Sequence, residues 1–190
     1  MDNPTLILQT VDRNLDHPVR LVLYGRAALW LGFDTAPPEA AKTQDVDAII
    51  SLTQSEELAR DTQFWDAVDA ANADLASRGL YMTHLFGEQD VFLRTGWQES
   101  IVAVTRPSLR WLKLFRPATI DLILTKMMRG NDPQDMADAR FLIKQAGITR
   151  AQLQKAFAEM KPIEVVELRD AFNRAKPPIL EMAIDYPQFL

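Results

Sequence analysis

The run Val19-Arg20-Leu21-Val22-Leu23-Tyr24 halts at Gly25, and the strong helix formers Arg26-Ala27-Ala28-Leu29-Trp30-Leu31 follow at once. An apolar, partly β-branched run stopped by glycine and succeeded by helix formers predicts strand, turn, helix. After a loop with Pro37 and Pro38, Val46, Ala48, Ile49 and Ile50 predict a second strand, at whose start the apolar positions alternate with Asp45 and Asp47. This order commits the first part of the chain to an α/β layer.

The rest of the pattern is organised around that unit. Leu8, Val11 and Leu15 at helical spacing predict a helix over 5–16 that ends at His17-Pro18, because the residue before a proline is pushed out of the helical region. Thr53 and Glu56 fit a capping box, and Leu58, Trp65, Val68 and Leu75 predict one long amphipathic helix closed by Gly79. Short strands are expected over 80–86, 90–94, 100–105 and 109–115, which would make the sheet mixed or partly antiparallel. From Pro117 the pattern turns helical, over 117–129, 133–145, 149–160 and 163–175, the last stopping before Pro177-Pro178. The expected fold class is therefore α+β: an α/β core over residues 1–116, its mixed sheet flanked by helices, and a helical C-terminal region over 117–190 packed on that core.

Composition removes several chemistries. Without cysteine there is no disulfide framework, thiolate zinc site, iron–sulfur cluster or cysteine nucleophile. The two histidines, His17 and His84, are too few for a histidine-rich metal cage. With 21 basic against 26 acidic residues and a net charge of −5, a broad, sequence-independent hold on nucleic acid is disfavoured. Locally the balance reverses: Arg106, Arg110, Lys113, Arg116, Lys126 and Arg129 stand against Asp121 alone. That segment reads equally as a groove for triphosphate or acceptor RNA and as a charged strand edge that resists aggregation. No apolar run reaches the roughly 18 residues of a membrane span, and the first twenty residues lack the apolar core of a signal peptide. A soluble, cytoplasmic protein with no membrane partner is expected.

Residues i and i+2 of a strand project from one face, so Asp45 and Asp47 can converge on a hard divalent cation that keeps phosphate oxygens as ligands. Gly25 lets the backbone approach a ligand, the amides opening the next helix can hold phosphates, and Arg26 can add a charge-assisted contact. The bland alternative is solvent-facing alternation in an exposed strand, with Gly25 merely ending its neighbour. In a second constellation, Lys126 lies at the border of the stripe Ile120, Ile123, Leu124, Met127 and Met128, while Asp135 and Asp138 are one helical turn apart. Here too a structural reading stands beside the functional one: Lys126 and Arg129 complement a helix C-terminus, Asp132 before Pro133 caps a helix, and Asp135 suits its first turn. Glu99, the only acid between Asp90 and Asp121, falls at a predicted strand edge.

Taken together, Gly25-Arg26-Ala27-Ala28-Leu29, Thr43-Gln44-Asp45-Val46-Asp47, Asp121-Leu122 with Lys126, and Asp135-Met136-Ala137-Asp138 resemble the motifs of the AbiEii-type nucleotidyltransferases, a toxin–antitoxin-associated branch of the polymerase-β-like superfamily. The resemblance runs from about Val19 to Leu142. It implies a nucleotidyltransferase fold and a toxin-like, Mg2+-dependent enzyme that moves a nucleotide from a nucleoside triphosphate onto an acceptor, for some members transfer RNA, with an antitoxin protein as a partner. It implies that Asp45 and Asp47 are the metal-binding catalytic acids, that Lys126 and Asp135 are further catalytic residues, and that Gly25, Arg26, Thr43 and Asp138 bind substrate. Two departures stand out. Arg26 follows the glycine where many members have a small Ser or Gly, and no third strand carboxylate is evident, which makes Asp135 the candidate base. The second departure keeps open a catalytically inactive nucleotide-binding or regulatory protein.

Overall fold

The computed structural model describes residues 1–83 and 85–184, and these form an α+β protein with a mixed, open sheet and eight α-helices. The chain divides into two compact units, Met1–Asp90 with Ile101–Arg116, and Val91–Ser100 with Pro117 onward.

In the first unit, α1 (Asn3–Asn14) begins where the Asp2 carboxylate accepts the Thr5 N–H at 2.9 Å. Strand β1 (Val19–Tyr24) leads through Gly25 into α2 (Gly25–Gly32), and β2 (Asp45–Ile50) returns antiparallel to β1. Two short strands, β3 (Tyr81–Met82) and β4 (Phe86–Gly87), pair parallel to β2, while β5 (Val102–Ala103) and β6 (Leu112–Arg116) complete the other side. The spatial order is β3-β2-β1-β6-β5, with β4 also on β2. Val19, Leu21, Leu23, Val46, Ala48, Leu112 and Leu114 alternate onto one buried face, and α1, α2 and α4 (Thr62–Leu75) pack on the sheet. Opposite lies the face that carries Arg20, Tyr24, Asp45, Asp47, Lys113 and Phe115, since Tyr24 is paired with Asp47 and Arg20 with Lys113.

Several expected elements differ from this. The single helix from Thr53 to Gly79 is two, α3 (Leu52–Ala59) and α4, because Ser51 caps the first and Asp61 the second. Asp61 accepts the Phe64 N–H at 2.9 Å, offering the backbone an alternative to helix continuation. The strand expected over 80–86 is split between two pairing sites on β2, and His84 lies outside the described residues. Residues 90–94 form no strand: Leu93 accepts the Lys161 N–H, Thr95 donates to Glu159, and Arg94 makes one bridge to Met160, so this apolar run belongs to the second unit. Glu99 sits exposed in a short helical turn, Trp97–Ser100, not on a strand edge.

The second unit is built from α5 (Thr119–Thr125), α6 (Pro133–Ala146), α7 (Arg150–Glu159) and α8 (Val166–Glu181). Leu122, Ile123, Leu142, Ile143, Leu153 and Ile179 are buried, and Phe172 meets Phe92 and Phe157 edge to face. Helix α5 ends at Thr125, four residues before the expected stop, and α8 runs through Pro177 and Pro178 instead of ending before them. Asp121 is fully buried and takes two bonds from the Arg94 guanidinium, at 3.0 and 2.8 Å, besides the Arg94 N–H at 3.0 Å. No helix among the described residues is long and apolar enough to cross a membrane.

Candidate functional site

Asp45 and Asp47 sit at the start of β2, both half-buried, on the sheet face away from α1 and α2. Their spacing puts both carboxylates on one side of the strand, and a hydroxyl from a neighbouring segment orients each: Thr43 Oγ1 donates to Asp45 Oδ1 at 2.7 Å, and Thr83 Oγ1 donates to Asp47 Oδ1. Thr83 is fixed in turn, donating its N–H to the Val46 carbonyl at 3.1 Å. Beside it the Asn72 amide clamps Met82, donating to the Met82 carbonyl at 3.0 Å and accepting its N–H at 2.7 Å.

Gly25 has φ +66°, the left-handed region that a side chain disfavours, and a Cβ there would lie 3.3 Å from Asp47 Oδ2. The glycine is therefore required twice, by the turn from β1 into α2 and by the approach of the carboxylate. Arg26 is half-buried in the first turn of α2. Tyr24, opposite Asp47 in register, packs its ring edge to face on Phe86 at 5.5 Å. Burial, followed by the charges of Asp47 and Asp45, pushes the Tyr24 phenol above its ordinary pKa, so a neutral hydroxyl accompanies the two acids. The donor set fits a small hard cation: two carboxylates on one strand face, half-open, with a cradle that a Cβ at position 25 would fill.

In the second unit, Lys126, Asp135 and Asp138 come together with Arg129. Lys126 Nζ lies 2.7 Å from Asp138 Oδ2 and 3.3 Å from Asp135 Oδ1, and Arg129 Nε donates to Asp135 Oδ2 at 2.6 Å. Lys126, Asp135 and Asp138 are only 4%, 5% and 3% exposed, and the ammonium together with the Arg129 guanidinium balances the two carboxylates. Asp132 caps α6 as the sequence suggests, accepting the N–H groups of Gln134 and Asp135.

The basic segment does not form one groove. Arg106 donates to the carbonyls of Trp30, Leu31 and Phe33, Arg116 is buried with its guanidinium over the Phe33 ring at 4.2 Å, and Lys126 and Arg129 join the acids of the second unit. Two residues of the site escape the sequence reading, Thr83 and Tyr24. Tyr24 carries a legible signal, since it precedes Gly25 on a strand, whereas the contact of Thr83 with Asp47 depends on a strand pairing that spacing does not encode.

Among known proteins, no family model, no curated sequence and no solved structure matches this chain.

Proposed function

We propose that this protein is a metal-dependent nucleotidyltransferase with the nucleotidyltransferase fold, using Mg2+ and transferring a nucleotide from a nucleoside triphosphate onto an acceptor, with RNA or transfer RNA as the acceptor class and an antitoxin protein as partner. The observation that carries the reading is the pair Asp45 and Asp47 on one face of β2, closed against the left-handed turn at Gly25. Held by Asp45 and Asp47, a magnesium ion would neutralise triphosphate oxygens and polarise the phosphorus under attack. Thr43 and Thr83 fix the carboxylate orientations before substrate arrives, which removes reorganisation from the reaction. The amides following Gly25 and the Arg26 guanidinium hold phosphate oxygens.

The acceptor oxygen attacks the α-phosphorus in line, a new P–O bond forms, and the bond to the bridging oxygen breaks, so that pyrophosphate leaves with the electron pair. The acceptor proton passes to a general base; Lys126, Asp135 and Asp138, which the family resemblance adds to the machinery, bind one another and Arg129 within the second unit. A second reading, a nucleotide-binding regulatory protein without transfer, is favoured by Thr83, whose hydroxyl, not a third carboxylate, stands on the strand segment beside Asp47.

The test is transfer of label from each α-32P nucleoside triphosphate to total RNA in the presence of Mg2+, alongside pyrophosphate release. Activity that disappears in Asp45→Asn with Asp47→Asn supports the transferase. Undiminished transfer in that variant removes it, and magnesium-dependent triphosphate binding without pyrophosphate release selects the regulatory reading.

A further inference from the structure

Three cations of the first unit are turned outward. Arg20 on β1, Lys113 on β6 and Arg110 just before β6 are exposed, and none is ion-paired among the described residues. Arg20 and Lys113 are neighbours in the parallel register, and Lys113 Nζ reaches the Arg110 carbonyl at 3.4 Å, so the three residues are adjacent on the surface. Asp12, which meets the backbone at the start of β6, is buried and already accepts the N–H groups of Arg110, Trp111 and Leu112 at 2.9, 2.8 and 2.7 Å.

Aromatic rings are interleaved with the charges. The Arg20 guanidinium lies over the Phe115 ring and that of Arg110 over Trp111, each 4.5 Å from the centroid. Next to them Lys113 and Phe115 line an open recess of about 280 Å³ whose other walls include Ala103, Thr105 and Ser108. That volume is just below the range of about 300–1,000 Å³ of sites for whole small molecules, and suits a single planar base.

We propose that this strip binds single-stranded nucleic acid, with phosphates on Arg20, Lys113 and Arg110 and one base seated in the recess beside Phe115. A guanidinium already stacked on a ring extends a flat surface that any base can continue, while the cations track the backbone. A duplex is a poorer ligand because its bases are paired and cannot enter the recess. The inference concerns binding alone and holds whether or not Asp45 and Asp47 transfer a nucleotide.

The experiment is fluorescence anisotropy of the full chain with a fluorescein-labelled, unstructured 12-nucleotide RNA and the DNA of the same sequence, without nucleoside triphosphate or magnesium, so its outcome is separate from that of the transfer assay. Both single strands are expected to bind, the matching duplex about tenfold more weakly. The slope of log K against log salt should be near −2, about −0.7 for each of three phosphates. Arg20→Glu with Arg110→Glu and Lys113→Glu should weaken binding by at least about thirtyfold, and Phe115→Leu by roughly tenfold with the salt slope unchanged, since it removes stacking and no charge. If the triple variant loses its circular dichroism spectrum, Lys113→Glu alone is measured, with a severalfold loss expected. Wild-type affinity in the charge-reversed variants, an unaltered Phe115→Leu, or equal competition by polyglutamate or by phosphatidylserine vesicles would overturn the proposal.

Discussion

Two carboxylate pairs in this protein are built from the same residue and serve opposite ends. Asp45 and Asp47 converge because a strand repeats every second residue, Asp135 and Asp138 because a helix turn returns after three. The strand pair is half-open and receives hydroxyl donors from Thr43 and Thr83, which orient each acid. The helix pair is buried and receives an ammonium and a guanidinium, which balance its charge. Spacing brings acids together. Burial and the identity of the donors separate the two pairs: one is half-open beside hydroxyls, the other enclosed with two cations.

That contrast is broken most severely at the acids themselves. In Asp45→Asn with Asp47→Asn, nucleotide transfer should fall by about a thousandfold or more, the loss of over 4 kcal/mol of transition-state stabilisation. The melting temperature should fall by no more than the few degrees that about 1 kcal/mol produces in a chain of this size. Asp138→Ala should do the reverse to stability. It leaves the Lys126 ammonium buried with its 2.7 Å partner gone, and breaking such a pair costs about 3–5 kcal/mol, a drop on the order of 10 °C. Differential scanning calorimetry of both variants checks the difference, and equal destabilisation would erase the distinction between the pairs.

A smaller effect sharpens the strand side. Gly25→Ala forces a side chain into φ +66° and places its Cβ 3.3 Å from Asp47 Oδ2. The backbone term alone costs about 1–2 kcal/mol. Because the clash falls on the carboxylate, magnesium-dependent triphosphate binding should weaken more than stability does, a split readable by titration calorimetry beside thermal melting.

How far the sequence reveals this arrangement follows from the range of each interaction. The β1 run, the stop at Gly25, the α2 formers and the alternation in β2 are local, and the structure has each of them within a residue or two. Asp132 as the cap before Pro133 is equally local. The contacts of Thr83 with Asp47 and of Tyr24 with Phe86 depend on which strands pair and in what register, and no periodicity within either segment encodes that. Residues 90–94 fail for the same reason. Their apolar run suits a strand, yet Arg94 is claimed by Asp121 and the backbone by residues 159–161, partners far along the chain. The basic segment misleads because charge counts ignore what each side chain reaches: Arg106 and Arg116 are absorbed by their own unit, and Arg110 and Lys113 are left outward.

The weakest expected effect lies where a carboxylate pair surrounds a group that can lose its charge. His17 holds Asp16 through Nδ1 and Asp61 through Nε2, both at 2.8 Å. Ionised carboxylates only accept, so both ring nitrogens donate, which is possible for the imidazolium alone. The hydrogen bonds to Asp16 and Asp61 hold the imidazole pKa above its usual value. A folded value above the unfolded one makes the contribution complete below the unfolded pKa, about 6.5, and lost as pH rises through the raised folded value. The ring is 39% exposed, so solvent screens the gain. Comparing wild type with His17→Gln, the melting-temperature difference should be no more than a few degrees at pH 6 and should shrink as pH rises. Since Asp61 also caps α4, the amides at the start of that helix should exchange faster in the variant at low pH. Parallel pH profiles for the two proteins would show that His17 stays neutral between its acids and that this third pair contributes no charge pairing at all.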